Sequence, residues 1–256
     1  MRQLTAFIKK EFMELVRTGK VYILLILFVI FGIMNPAIAK LTPWMFELFS
    51  ESLKESGINI TQVEVTAMTS WQQYFKNMSM ELIVIVVMFY SIVTHEIQKG
   101  TLINMLTKGL SRWKVIISKA IIAAASWSIC YWLCFGITYG YNAYFWDNSI
   151  AANIGLAALG SYSYGLWLIS LIILASAFLS SGTGVLLSTG GVYVLSSLVS
   201  MVPDISAYLP TKLTAGYELV SGTCAAGGYS KAFIITAAFI MINLVLGVLS
   251  FNRKKI

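Results

Sequence analysis

Val21-Tyr22-Ile23-Leu24-Leu25-Ile26-Leu27-Phe28-Val29-Ile30-Phe31-Gly32-Ile33-Met34-Asn35-Pro36-Ala37-Ile38 runs for eighteen residues without a charge. The hydrocarbon core of a bilayer is ~30 Å thick and a helix rises ~1.5 Å per residue, so about 20 apolar residues cross it. A lone segment in lipid must satisfy its own backbone hydrogen bonds, which selects the helix. This stretch therefore predicts a transmembrane helix ending near Pro36. It is not a cleaved leader: both signs of charge precede it, and Asn35-Pro36 and Lys40 follow where a small-residue cleavage site would stand.

Five further apolar runs follow, at Met80–Thr94, Val115–Tyr139, Gly155–Leu179, Val185–Val202 and Phe233–Leu249. With 58% hydrophobic and 11% charged residues, against roughly 25% charged in a soluble domain, the chain cannot cover a globular surface. The fold class expected is an all-α membrane protein, one domain over 1–256 with six transmembrane helices.

Upstream of the first span, residues 2–18 carry Leu4, Phe7, Ile8, Phe12 and Leu15 on one helical face and Lys9, Lys10, Glu14 and Arg17 elsewhere. That pattern predicts an amphipathic helix within 1–20 lying in the membrane interface, broken by Gly19. Basic residues then set the orientation. Thirteen of the eighteen fall on one side: Arg2, Lys9, Lys10, Arg17, Lys20, Lys99, Lys108, Arg112, Lys114, Lys119, Arg253, Lys254 and Lys255. That side is expected to be cytoplasmic, with both termini inside.

The outer side carries one substantial loop, about Ala39 to Ser79, with Glu47, Glu51, Glu55 and Glu64. Within it Trp44, Met45, Phe46, Leu48 and Phe49 predict a helix at the outer interface. Tyr139, Tyr141, Tyr144, Phe145 and Trp146 read as an aromatic belt after the third span.

Catalysis is disfavoured. There is one histidine, His95, Asp147 and Asp204 fall on predicted outer loops, and no Gly-x-x-x-x-Gly-Lys phosphate loop occurs. Cys130 and Cys134, four apart in an apolar run, read as packing residues, and Cys224 stands alone; no disulfide or metal spacing is present. Glu81, placed near the outer end of the second span, is the one acid close to a membrane interior, too little for an ion-coupled transporter. Asn35 and Asn243 are expected to pair between helices, and Gly136-x-x-x-Gly140 to allow close helix contact, within the chain or across a dimer. The +7 net charge sits at the ends of apolar runs, so no nucleic-acid partner is expected.

The connection from His95 to Lys114 is the informative one. Ile97, Leu102, Met105 and Leu106 form an apolar stripe, Asn104 and Lys108 are polar, and Gly109 ends the short helix. An amphipathic helix here either docks into a groove on a cytoplasmic partner or is a plain interfacial connector.

The pattern Glu96-x-x-x-Gly100-Thr101-Leu102, then Leu106, Ser111-Arg112 and Lys119, resembles the permease subunits of ABC type-2 transporters. Lys9-Lys10-Glu11-Phe12 with Arg17 looks like the connecting helix of that family. Tyr208-Leu209-Pro210-Thr211-Lys212-Leu213 resembles a segment of its bacterial drug- and peptide-related branch, and Phe251-Asn252-Arg253-Lys254-Lys255 a family ending. Gly109 departs from a Pro common in the family.

The resemblance implies the membrane half of an exporter in the bacterial cytoplasmic membrane, among membrane lipids, paired with a second permease in a homodimer or heterodimer. Cytoplasmic ATPase subunits would hold the ATP and Mg; this chain would bind no cofactor or metal. The coupling helix would span 96–112, with Glu96, Gly100, Thr101, Leu102, Met105, Leu106 and Arg112 as its ATPase-binding residues. Glu96 would anchor the loop by polar contacts, and Leu102, Met105 and Leu106 would fill the partner's groove. The expected cargo is hydrophobic or amphipathic, a drug or antimicrobial peptide, with bacteriocin immunity as a setting. The alternative is a non-transporting scaffold or sensor that recruits a cytoplasmic protein through the same helix.

Overall fold

A computed structural model describes residues 2–48 and 64–254. Among them the elements are helical and no strand occurs. The chain runs α1 (Arg2–Arg17), α2 (Lys20–Leu48), α3 (Ala67–Phe89), α4 (Thr94–Gln98), α5 (Thr101–Thr107), α6 (Arg112–Phe145), α7 (Ile154–Phe178), α8 (Gly182–Val199), α9 (Pro203–Ser206), α10 (Gly216–Val220) and α11 (Ser230–Arg253). Six helices are long and apolar enough to cross a membrane, so the six-span all-α architecture stands.

Four of the spans are longer than their apolar runs, while α7 and α8 match theirs in length and are shifted toward the N-terminus. The first helix does not stop near Pro36: it carries both Pro36 and Pro43 and continues to Leu48. Proline costs a ladder hydrogen bond, but membrane helices tolerate it where neighbours re-satisfy the backbone. The expected outer helix at 44–49 is thus the end of α2 as far as Leu48; Phe49, Glu51 and Glu55 lie outside the described residues. The second span begins at Ala67 rather than Met80, and ends at Phe89 in a turn rather than at Thr94. The third takes in the aromatic stretch up to Phe145, so the belt residues Tyr139 to Phe145 are helical.

The longer α3 also corrects Glu81, which lies well inside the helix and is fully buried, accepting the Cys134 thiol at 3.3 Å. A polar layer sits beside it. Asn77 donates to Asn35 at 2.8 Å, Asn35 donates to Thr138 at 3.4 Å, and Thr138 donates to the Gly32 carbonyl at 3.0 Å. Asn243 likewise donates to Ser170 at 2.9 Å. Both asparagines pair between helices, as expected.

α7 is the centre of the bundle, with 67% of its most apolar stretch buried, against 11% for α8. Glycine lets its neighbours close in: a Cβ at Gly165 would lie 2.3 Å from the Trp127 ring, and one at Gly32 would lie 3.0 Å from the Cys134 carbonyl. At Gly136 and Gly140 nothing among the described residues lies within 4 Å of such a Cβ, so no close helix contact is made there among them. Residues 203–229 form a packed cap rather than an open loop. Leu213, Leu219, Val220 and Tyr229 are buried, and Tyr229 donates to the Ala215 carbonyl at 2.8 Å.

Contacts at the opposite end bring both termini beside the 94–114 connection. Lys114 donates to Gln3 at 2.6 Å, and Arg112 donates to the Phe251 carbonyl at 3.4 Å and to that of Lys254.

Candidate functional site

The site begins with a residue on the wrong side of an amphipathic helix. α1 buries Phe7, Glu11 and Leu15, spaced four apart, while Phe12, expected on that face, is 54% exposed. A carboxylate turned into a bundle is costly unless a cation meets it. Lys119 of α6 meets it: its ammonium lies 2.8 Å from Glu11 Oε2 and 2.8 Å from Glu96 Oε2. All three side chains are nearly sealed from solvent.

Lys10 closes the cluster from the outside, pairing with Glu11 at 3.0 Å, Glu14 at 2.7 Å, and Glu96. Burial works against the Lys10 charge, but hydrogen bonds to Glu14 and Glu96 and the charge of Glu11 outweigh it and hold its pKa above the usual lysine range. Glu11, Glu14 and Glu96 approach closely enough to share a metal ion. Two ammonium groups already stand among them, so the donor set is that of an ion-pair network.

Glu96 thereby joins three elements: the interfacial helix α1, the third span α6, and the connection that starts with α4. These polar contacts hold the start of the connection against α1 and α6.

The single coupling helix expected over 96–112 is two short helices. Gly100, at φ 68°, adopts the left-handed conformation between α4 and α5, which glycine takes without a Cβ penalty. Thr101 Oγ1 reaches back to the Glu96 carbonyl at 3.3 Å. At the other end Gly109, also left-handed, donates to the Leu106 carbonyl at 3.0 Å while Leu110 donates to that of Met105 at 3.2 Å. That bond pair is the Schellman motif, so Gly109 ends the helix as the sequence indicated, without the family's proline.

Between these stops the apolar stripe points inward. Leu102 is fully buried with Phe7, Val93, Val115, Ile116 and Phe251, and Met105 and Leu106 lie half-buried against the same cluster. Leu102 is therefore committed to this chain's own core, which corrects the expectation that it fills a groove elsewhere. Arg112 is turned onto the carbonyls at the end of α11. Of the seven expected partner-facing residues, Thr101 is exposed. The outward face otherwise consists of Ile103, Asn104, Thr107 and Lys108, beside a groove of about 280 Å³ lined by Ile103, Leu106, Thr107, Leu110 and Arg112. Gln98 ties the segment to the α7–α8 turn, donating to the Ser180 carbonyl at 3.2 Å.

Sequence reasoning missed Glu11 and Glu14 as members of this site. The available signal was Glu11 itself, an acid at helical spacing from Phe7 and Leu15. Its partner Lys119, 108 positions away, stood in the family pattern, but nothing in the sequence joined the two.

A search of curated proteins finds no match to this chain. The family profile described as "ABC-2 family transporter protein" matches residues 5–256, which takes in every element from most of α1 to the end of α11. The members are membrane subunits of transporters, not themselves catalytic, and work with an ABC ATPase subunit. On that match, in line with the six spans and the order of its motifs, the chain belongs to the ABC-2 transporter family as a membrane-embedded permease subunit.

Proposed function

We propose that this chain is the permease half of an ABC exporter in a bacterial cytoplasmic membrane, working as a pair of permeases with two ATPase subunits that bind ATP and Mg. The basic end faces the cytoplasm, following the distribution of Lys and Arg. The outward face of α5, Ile103, Asn104, Thr107 and Lys108, meets the ATPase. The observation that carries this reading is the Glu11–Lys119–Glu96 network: it fastens the connection that would meet the ATPase to a transmembrane helix and to the interfacial helix at once. Motion imposed on α4 and α5 then reaches α1 and α6 as a rigid-body displacement instead of dissipating in a loose loop.

The cargo is a hydrophobic or amphipathic molecule, a drug or an antimicrobial peptide, and bacteriocin immunity is the setting. What supports this is the scarcity of charge inside the bundle: among the described residues the spanning helices bury Glu81 and, in the ion-pair network, Lys119.

The test is co-purification with candidate ATPases, followed by ATP hydrolysis in lipid against a panel of peptides, for the wild type and for Ile103→Asp on the exposed face. Coupling predicts cargo-stimulated hydrolysis that Ile103→Asp removes while membrane insertion is kept. Binding without nucleotide-dependent turnover would establish the scaffold reading, and undiminished stimulation in Ile103→Asp would reject the assigned face.

A further inference from the structure

Two helix ends meet at the basic end of the bundle, α7 finishing at Phe178 and α11 at Arg253. Between them lies a groove of about 490 Å³, walled by Phe178, Leu246 and Leu249 and rimmed by Ser250, Arg253 and Lys254. Leu246, Leu249, Ser250 and Arg253 are spaced i, i+3, i+4 and i+7, so one helix face passes from hydrocarbon to cation. Seven residues of helix cover about 10 Å, the step from acyl chains to headgroups. The groove is therefore amphipathic along the membrane normal.

Its mouth is electropositive for reasons visible in the hydrogen bonds. A helix C-terminus carries about half a negative charge, and two such ends converge here. Each is covered by a cation. Lys254 Nζ donates to the Leu179 carbonyl at 2.7 Å and to that of Ser176 at 3.3 Å. Arg112 donates to the Phe251 and Lys254 carbonyls at the end of α11. Arg253 makes no hydrogen bond or ion pair among the described residues, and no acidic residue lines the groove. Two full positive charges at the rim, Arg253 and Lys254, set against two half-charges leave the mouth with about one positive charge in excess.

We propose that this groove binds one anionic glycerophospholipid, its phosphate on Arg253 and an acyl chain laid along Phe178, Leu246 and Leu249. A cationic headgroup would bring like charge to the rim. Basic pockets between transmembrane helices at the membrane surface suit anionic headgroups in this way. The assignment rests on the spans crossing a bilayer and is independent of any ATPase.

The full chain is placed in nanodiscs of equal phosphatidylglycerol and phosphatidylcholine with matched acyl chains, then released for native mass spectrometry to count retained lipid. Wild type is expected to retain phosphatidylglycerol over phosphatidylcholine. Arg253→Gln should cut that preference about five-fold and Arg253→Glu by more than about ten-fold. Leu249→Trp, which fills the groove without changing charge, should cut phosphatidylglycerol retention as well. Equal retention of the two lipids by wild type, or a preference that survives both Arg253→Glu and Leu249→Trp, overturns the proposal. So does phosphatidylglycerol retention abolished by added inorganic phosphate, which would mark a site for a free anion.

Discussion

Lys119 and Glu96 form an ion pair at 2.8 Å in which the lysine side chain is 1% exposed and the glutamate 6%. A pair this buried is costly to create, so its presence says little about net stability, but breaking it strands a charge. Lys119→Met leaves Glu11 and Glu96 facing each other with only the more exposed Lys10 shared between them and should cost about 3–5 kcal/mol, read as a large fall in the thermal unfolding midpoint in detergent. Adding Glu11→Gln and Glu96→Gln should recover part of the loss, because no carboxylate is then stranded. An unchanged midpoint in Lys119→Met would show that the network does not hold the junction.

Gly100 makes a different prediction. Nothing lies within 4 Å of a Cβ built there, so Gly100→Ala meets no neighbour and its cost is conformational, about 1–2 kcal/mol for the left-handed backbone. Gly100→Asn should cost less, since asparagine tolerates that region. The order Gly, Asn, Ala in thermal midpoint checks the assignment. The same order in ATPase stimulation would tie the break between α4 and α5 to coupling.

Steric closeness governs Gly165 and Gly216, where a Cβ would sit 2.3 Å from the rings of Trp127 and Phe75 respectively. Gly165→Ala should destabilise by about 1–3 kcal/mol through overpacking. Trp127→Leu destabilises by itself, since Trp127 is buried, but in that background Gly165→Ala should cost much less, whereas the cost of Gly216→Ala should be unchanged. Failure of that background to discriminate would mean that the contact at Gly165 is not the cause.

The raised pKa of Lys10 has a defined pH signature. A lysine whose folded pKa exceeds its unfolded value stabilises the fold fully below the unfolded value of 10.5 and loses that contribution as pH climbs through the folded value. The wild type should lose an advantage over Lys10→Met on going upward from about pH 10.5, while the difference between the two stays constant across neutral pH. Matching unfolding midpoints at pH 7 in the two proteins would refute it.

The number of spans was readable because hydrocarbon thickness is a hard length scale, and the apolar runs came near it, the shortest, Met80–Thr94, being the visible part of a longer helix. Their ends were not, because hydropathy averages over faces. Gln72, Lys76 and Asn77 made the start of α3 look like loop, yet Gln72 and Lys76 turn outward and Asn77 turns inward to Asn35. Pro36 looked like a stop for the same reason: no local signal reports that α3 and α6 will satisfy the polar groups of α2. In the junction Glu96 and Gly100 stood out by motif and Gly109 by its turn chemistry. The inward tilt of Leu102 did not, since a stripe at helical spacing states that one face is apolar and not what covers it.

Leu102 is buried between two glycines of left-handed backbone, Gly100 and Gly109. Mechanically, the short plate from 101 to 107 is riveted at one point and has a swivel at either edge. Such a plate tips more readily than it slides, so torque is the quantity it is built to convert, and the lever arm is set by the distance of a push from Leu102.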